Sequence, residues 1–88
     1  MDKYIMISFN GNDSVSVVRA IDIKDAMVEF VDFYGICYPL NKKDIENLVK
    51  DFTIDKFIDW FENTYNHTIY GIYKIDETIF NKVGNENG

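Results

Sequence analysis

The chain is poor in the residues that usually announce chemistry. It has a single cysteine, Cys37, so no intrachain disulfide can form. Cys37 lies in the apolar stretch "YGICYPL", and no basic neighbour in sequence lowers its pKa. It reads as a small buried hydrophobe and not as a reactive thiol. There is one histidine, His67, so a zinc site of the histidine and thiolate kind is excluded. A calcium loop needs closely spaced oxygen ligands around a sharp glycine, and "NGNDS" carries only a fragment of that pattern. The five glycines are scattered and form no phosphate cradle. Ser8, Ser14 and Ser16 have no nucleophile elbow around them. No catalytic residue, metal or cofactor is expected, and the chain does not read as an enzyme.

Basic residues are also scarce. Nine stand against 15 acids, for a net charge of −6 over 88 residues. A nucleic-acid binder needs the opposite sign to displace counterions from phosphate. Anionic membrane surfaces likewise attract basic segments. No apolar run is long enough for a membrane span, and the start "MDKYIMISFN" lacks the length and cleavage site of a signal peptide. Direct binding to nucleic acid or membrane is not expected, and the chain reads as cytoplasmic.

What the chain does have is apolar and aromatic mass. Hydrophobic residues make up 47% and aromatics 16%, enough for a folded domain and too much for a disordered acidic tail. "KYIMISF" (3–9) alternates as a strand does, and Asn10-Gly11 signals a hairpin into "SVSVVRA" (14–20). Asp22 is placed to cap a helix running to about Tyr34, with Gly35 as its stop and Pro39 barring an early restart. A second helix is expected over 41–52, with Asn41 as its cap and Ile45, Leu48, Val49 and Phe52 as its apolar stripe. Thr53 caps a third over 54–65, which buries Ile54, Phe57, Ile58, Trp60, Phe61 and Tyr65. "HTIYGIYKI" (67–75) reads as a third strand, in which Gly71 marks a bulge or close packing. Residues 76–83 read as a fourth short strand or one helical turn.

The order β-β-α-α-α-β implies an α+β fold, a small antiparallel β-sheet with helices packed on one face. Residues 1–83 are expected to form one domain and 84–88 a flexible C-terminal tail.

Two rows of acids stand out. Asp22, Asp25, Glu29 and Asp32 follow one another at helical spacing in "DIKDAMVEFVD", and Asp55, Asp59 and Glu62 do so in "IDKFIDWFE". Both rows are free of lysine, although the second helix mixes its signs. Like charges three or four apart cost an isolated helix about 0.2–0.5 kcal/mol per pair. Part of that is recovered where Asp22, Asp25 and Asp55 lie near helix N-termini. The plain reading is two solvated helix faces. The functional reading is a contact surface for a basic groove, since neighbours in such a row stand roughly 5–6 Å apart, comparable with charges along a nucleic-acid strand.

By these two stretches the chain resembles the small acidic inhibitors made by phages and mobile elements, the anti-CRISPR and DNA-mimic proteins. The resemblance lies in size, charge and surface pattern and carries no shared motif. It implies a non-enzymatic inhibitor that occupies a basic, nucleic-acid-binding surface of a host protein such as a CRISPR effector nuclease, in the host cell cytoplasm. Asp22, Asp25, Glu29, Asp32, Asp55, Asp59 and Glu62 would then supply the contact charge.

An alternative is an interaction or assembly module that dimerises or binds a partner through the outer face of its sheet. With Ile5, Ile7, Phe9, Val15 and Val17 turned to the helices, Tyr4, Met6, Ser16 and Val18 would face outward, beside Tyr70, Ile72 and Lys74. Tyr4, Met6, Tyr70 and Ile72 are the expected interface of that reading. The plain counter-reading is that Ile79 and Phe80 fold over this surface.

Overall fold

The computed structural model describes residues 1–35 and 41–82. The positions of Cys37 and Pro39 and the tail 84–88 fall outside the described residues. The elements run β1 (Asp2–Phe9), β2 (Asp13–Ala20), α1 (Ile23–Tyr34), α2 (Lys42–Val49), α3 (Ile54–Tyr65), β3 (Thr68–Lys74) and β4 (Glu77–Asn81). All strands pair antiparallel in one sheet of order β2-β1-β3-β4. The fold is α+β with the helices packed against the sheet.

Local chemistry sets the boundaries. The β1–β2 hairpin closes through Asn10, Gly11 and Asn12, with Gly11 at φ +76°, where an L side chain would be strained. At the start of α1 the Asp22 carboxylate accepts the Asp25 N–H at 2.9 Å, and Gly35 ends the helix at φ +74°. Asn41 and Asp44 form a reciprocal capping box on α2. Thr53 caps α3, which stops at left-handed Asn66. No helix among the described residues is long and apolar enough to cross a membrane.

The core is one cluster. Ala26, Met27, Phe30 and Val31 of α1, Ile45 and Val49 of α2, and Phe57, Ile58 and Phe61 of α3 are buried together with Ile69 and Ile72 of β3. Val28 is buried as well, because α2 packs on α1. Lys24 fastens that pair. Its ammonium donates to the carbonyls of Val49 and Lys50, each at 2.8 Å, and to that of Phe52. It thus satisfies the carbonyls at the exit of α2 that the helix itself leaves open.

The sheet faces are the reverse of those expected from the alternation. Tyr4, Met6, Ser8, Ser16, Val18 and Ala20 are buried under the helices. Ile5 and Ile7 are half-buried on the other face, while Phe9, Val15 and Val17 are exposed there. Two facts account for the inversion. Lys3, Asp13 and Arg19 share the odd parity of Ile5 and Val17, so turning that face inward would carry three charges towards the core. The serines of the even set meet a polar partner in the Tyr34 hydroxyl, which bonds Ser8 at 3.1 Å, Ser16 at 3.2 Å and Ser14 at 3.4 Å.

In β3 the register slips by one residue opposite Ile7 and Ser8, and Tyr70 is the extra residue of the bulge. Ile72 pairs with Met6 on the buried face, and Gly71 pairs with Ile7 on the outer one. The Tyr73 ring lies over Gly71, where an added Cβ would come within 2.4 Å of it. Residues 77–81 are strand β4, whose Ile79 and Phe80 pack on the core and leave the outer face uncovered.

Candidate functional site

The seven acids of the two rows meet different fates. Asp22 is the cap of α1, and Asp25 accepts the Ile21 N–H at 3.0 Å. Glu29 is paired with Lys42 of α2 at 2.5 Å. That carboxylate raises the Lys42 pKa above the ordinary lysine value, first by its hydrogen bond and then by its charge, with Asp32 and Asp25 adding to it. Glu62 accepts the Ile69 N–H at 2.8 Å and lies 3.7 Å from Lys82. Asp59 takes a long contact from the Asn63 amide, 3.4 Å away. Asp32 and Asp55 are exposed.

The first row is therefore engaged with the start of α2 and the second with β3 and the end of β4. Neither is free of lysine in three dimensions. Four of the carboxylates, Asp22, Asp25, Glu29 and Glu62, are occupied in holding turns or elements together. Asp32, Asp55 and Asp59 remain turned to solvent.

The sheet-face set changes membership. Tyr4, Met6 and Ile72 belong to the core, with Met6 and Ile72 fully buried, so the expected interface of Tyr4, Met6, Tyr70 and Ile72 is corrected to Tyr70 and a different group. Tyr70 is 40% exposed and stacks edge-on with Phe9, ring centroids 6.4 Å apart. Val15 at 62% and Val17 at 50% continue the apolar surface along β2. Ile5, Ile7 and Tyr73 fill the space between, half-buried. Tyr73 is held by a 2.7 Å hydrogen bond from Asn81. This face has no helix over it among the described residues. The signal that would have found it is the shared parity of Lys3, Asp13 and Arg19 with the β-branched residues.

A polar cluster hidden from sequence reading sits beneath α1. Burial pushes the Tyr34 hydroxyl towards a higher pKa, but hydrogen bonds with Ser14, Ser16 and Ser8 outweigh it and bring the value below that of ordinary tyrosine. The His67 ring stands edge-on to Tyr34, centroids 5.3 Å apart, and its Nδ1 is buried without a hydrogen-bond partner among the described residues. The three serines share one tyrosine oxygen, and no base among the described residues is bonded to any of them. The cluster is a buried polar joint between α1 and the hairpin. A shallow groove of about 510 Å³ separates α1 from α2, lined by Ile21, Val28 and Val49 with Lys24 and Asp25. Lys24 and Asp25 are committed to backbone there, and the exposed Glu46, Asn47 and Lys50 complete the lining. No group of three or more histidine, cysteine or acidic side chains that could hold a metal ion occurs among the described residues.

No protein-family model, no curated protein and no solved structure matches this chain.

Proposed function

We propose that this chain is a non-enzymatic protein-binding module that docks on an apolar surface of a partner protein through the outer face of its sheet. The observation that carries this reading is the uncovered face of Phe9, Val15, Val17 and Tyr70, floored by Ile5, Ile7 and Tyr73. A protein of this size rarely leaves so contiguous an apolar surface in water unless something covers it. The aromatic side chains Phe9 and Tyr70 on it are of the residue types that anchor protein contacts.

A second reading is favoured by the charge. Asp32, Asp55 and Asp59 face solvent in a chain of net charge −6. An acidic inhibitor of the phage or mobile-element type would use them against a basic, nucleic-acid-binding surface of a host protein, with association that is fast and salt-dependent.

One affinity capture separates the two. Purified chain is used as bait at low and high salt, beside Phe9→Glu with Tyr70→Glu and beside Asp55→Lys with Asp59→Lys. The sheet-face reading expects a partner that survives high salt and the lysine variant and is lost with the glutamates. A partner lost at high salt and with the lysines, but kept by the glutamates, would reverse the order of the readings.

A further inference from the structure

We infer that β2 is a self-complementary edge, by which two copies of this chain join into one continuous antiparallel sheet about a two-fold axis at Ser16. β2 stands at the end of the sheet order, so one side of its backbone has no ladder partner among the described residues. It runs eight residues without proline and pairs with β1 without a bulge. Edges of that length are usually blunted by inward charge, by proline or by a twist, because an open row of N–H and C=O groups recruits another strand. β2 has no proline, no bulge and no inward-pointing charge.

The side chains choose the occupant. Antiparallel pairing centred on Ser16 sets residue 13 opposite 19 of the second copy, and 15 opposite 17. Asp13 then faces Arg19 twice, once on each side of the axis, and Val15 faces Val17 twice. Among the described residues of one chain these charges have no such partner. Arg19 stands opposite Lys3 in the β1–β2 register, a like-charged cross-strand pair. Neither Arg19, Lys3 nor Asp13 forms an ion pair among the described residues. An acid from a second copy relieves the repulsion that the chain alone leaves standing. Self-pairing by a two-fold needs the same patch to complement itself, and the order acid, valine, valine, base at Asp13, Val15, Val17 and Arg19 along one parity does so.

On the helix side, Phe33 is 63% exposed at the end of α1. Its ring lies 5.7 Å from that of Tyr34, whose hydroxyl accepts a hydrogen bond from Ser16. Phe33 is thus linked to β2 through Tyr34. On the other side the paired valines extend the apolar outer face across both copies. The inference concerns the edge of the sheet, and it stands apart from what the outer face binds.

The test is a charge exchange read by sedimentation equilibrium of the full chain at low ionic strength. The wild-type chain is expected to dimerise. Asp13→Arg alone and Arg19→Asp alone should each weaken the dimer about tenfold, since each turns two attractive cross-strand pairs into repulsive ones. The double variant, Asp13→Arg with Arg19→Asp, should recover most of the loss. Both residues are exposed, so folding is not at stake, and circular dichroism checks it. Amide exchange along β2 should also slow as protein concentration rises. A chain that stays monomeric at millimolar concentration overturns the inference, as does a dimer indifferent to the single exchanges or not restored by the double one. A monomer that still loses its partner with Phe9→Glu and Tyr70→Glu would overturn the edge and leave the proposed function intact.

Discussion

Tyr34 shows how a single residue decides which side of a strand is inside. Its hydroxyl gathers Ser8, Ser14 and Ser16, and Ser8 and Ser16 are buried. Removing the hydroxyl leaves those two without it. Tyr34→Phe is therefore expected to cost about 1–3 kcal/mol in urea denaturation. Adding Ser8→Ala and Ser16→Ala to that variant should recover part of the loss, because deleting both sides of a buried hydrogen bond is cheaper than deleting one. The lowered pKa has its own signature. A depressed folded-state value stabilises the protein above the ordinary tyrosine pKa, and that contribution is lost as pH falls through the folded value. It is absent at neutral pH. The expected observation is an alkaline ultraviolet titration in which one tyrosine ionises early in the wild-type chain and that step is missing in Tyr34→Phe. Nothing in the period-two pattern revealed this. Serines in a strand look like a wet face until a partner from elsewhere in the chain reaches them.

At the scale of elements, the helices were legible and their partners were not. Asp22, Asn41 and Thr53 cap the three helices they were expected to cap, because capping is decided within four residues. The acidic rows were legible as patterns too. What could not be read was that Lys42 would arrive beside Glu29 and Lys82 beside Glu62, since both pairs depend on how elements pack. Lys24 belongs to the same class. It looks like one more surface lysine, yet it closes the exit of α2. Lys24→Met is expected to cost about 1.5–3 kcal/mol, the usual worth of charge-assisted hydrogen bonds, measured by thermal and urea unfolding. The Lys42–Glu29 pair carries a pH dependence of the opposite kind. The raised Lys42 value means that its contribution is complete below the ordinary lysine pKa and is lost as pH rises through the folded one. Stability should fall more steeply at alkaline pH in the wild-type chain than in Lys42→Met, and added salt should narrow the difference.

For the whole molecule the balance moves from the helices to the sheet. The acid rows that dominate the sequence are largely spent on local tasks, and the apolar face that the alternation assigned to the core is turned to water. Substitutions should divide accordingly. Met6→Glu buries an unpaired carboxylate where Met6 has no exposure, and it is expected to prevent folding, seen as loss of the cooperative unfolding transition. Asp55→Lys with Asp59→Lys alters two exposed positions. Its effect on stability should stay within about 0.5 kcal/mol for each change. A large loss of stability in that lysine variant would mean the second row is structural as well.

Although the second helix ends at Val49 and not at residue 52 and the last element is a strand, the sequence by itself determined the class of the fold, the order of its first six elements and the caps. These follow from apolar periodicity and from hydrogen bonds between near neighbours. It also carried, unrecognised, the parity of Lys3, Asp13 and Arg19 that keeps Ile5 and Val17 outside. Only the tertiary structure decided which face of the sheet is covered. A two-residue period names two sets of side chains, and the choice between them rests on partners distant in the chain, Tyr34 above all. The same holds for the acids, whose freedom to bind anything depends on the lysines that packing brings beside them.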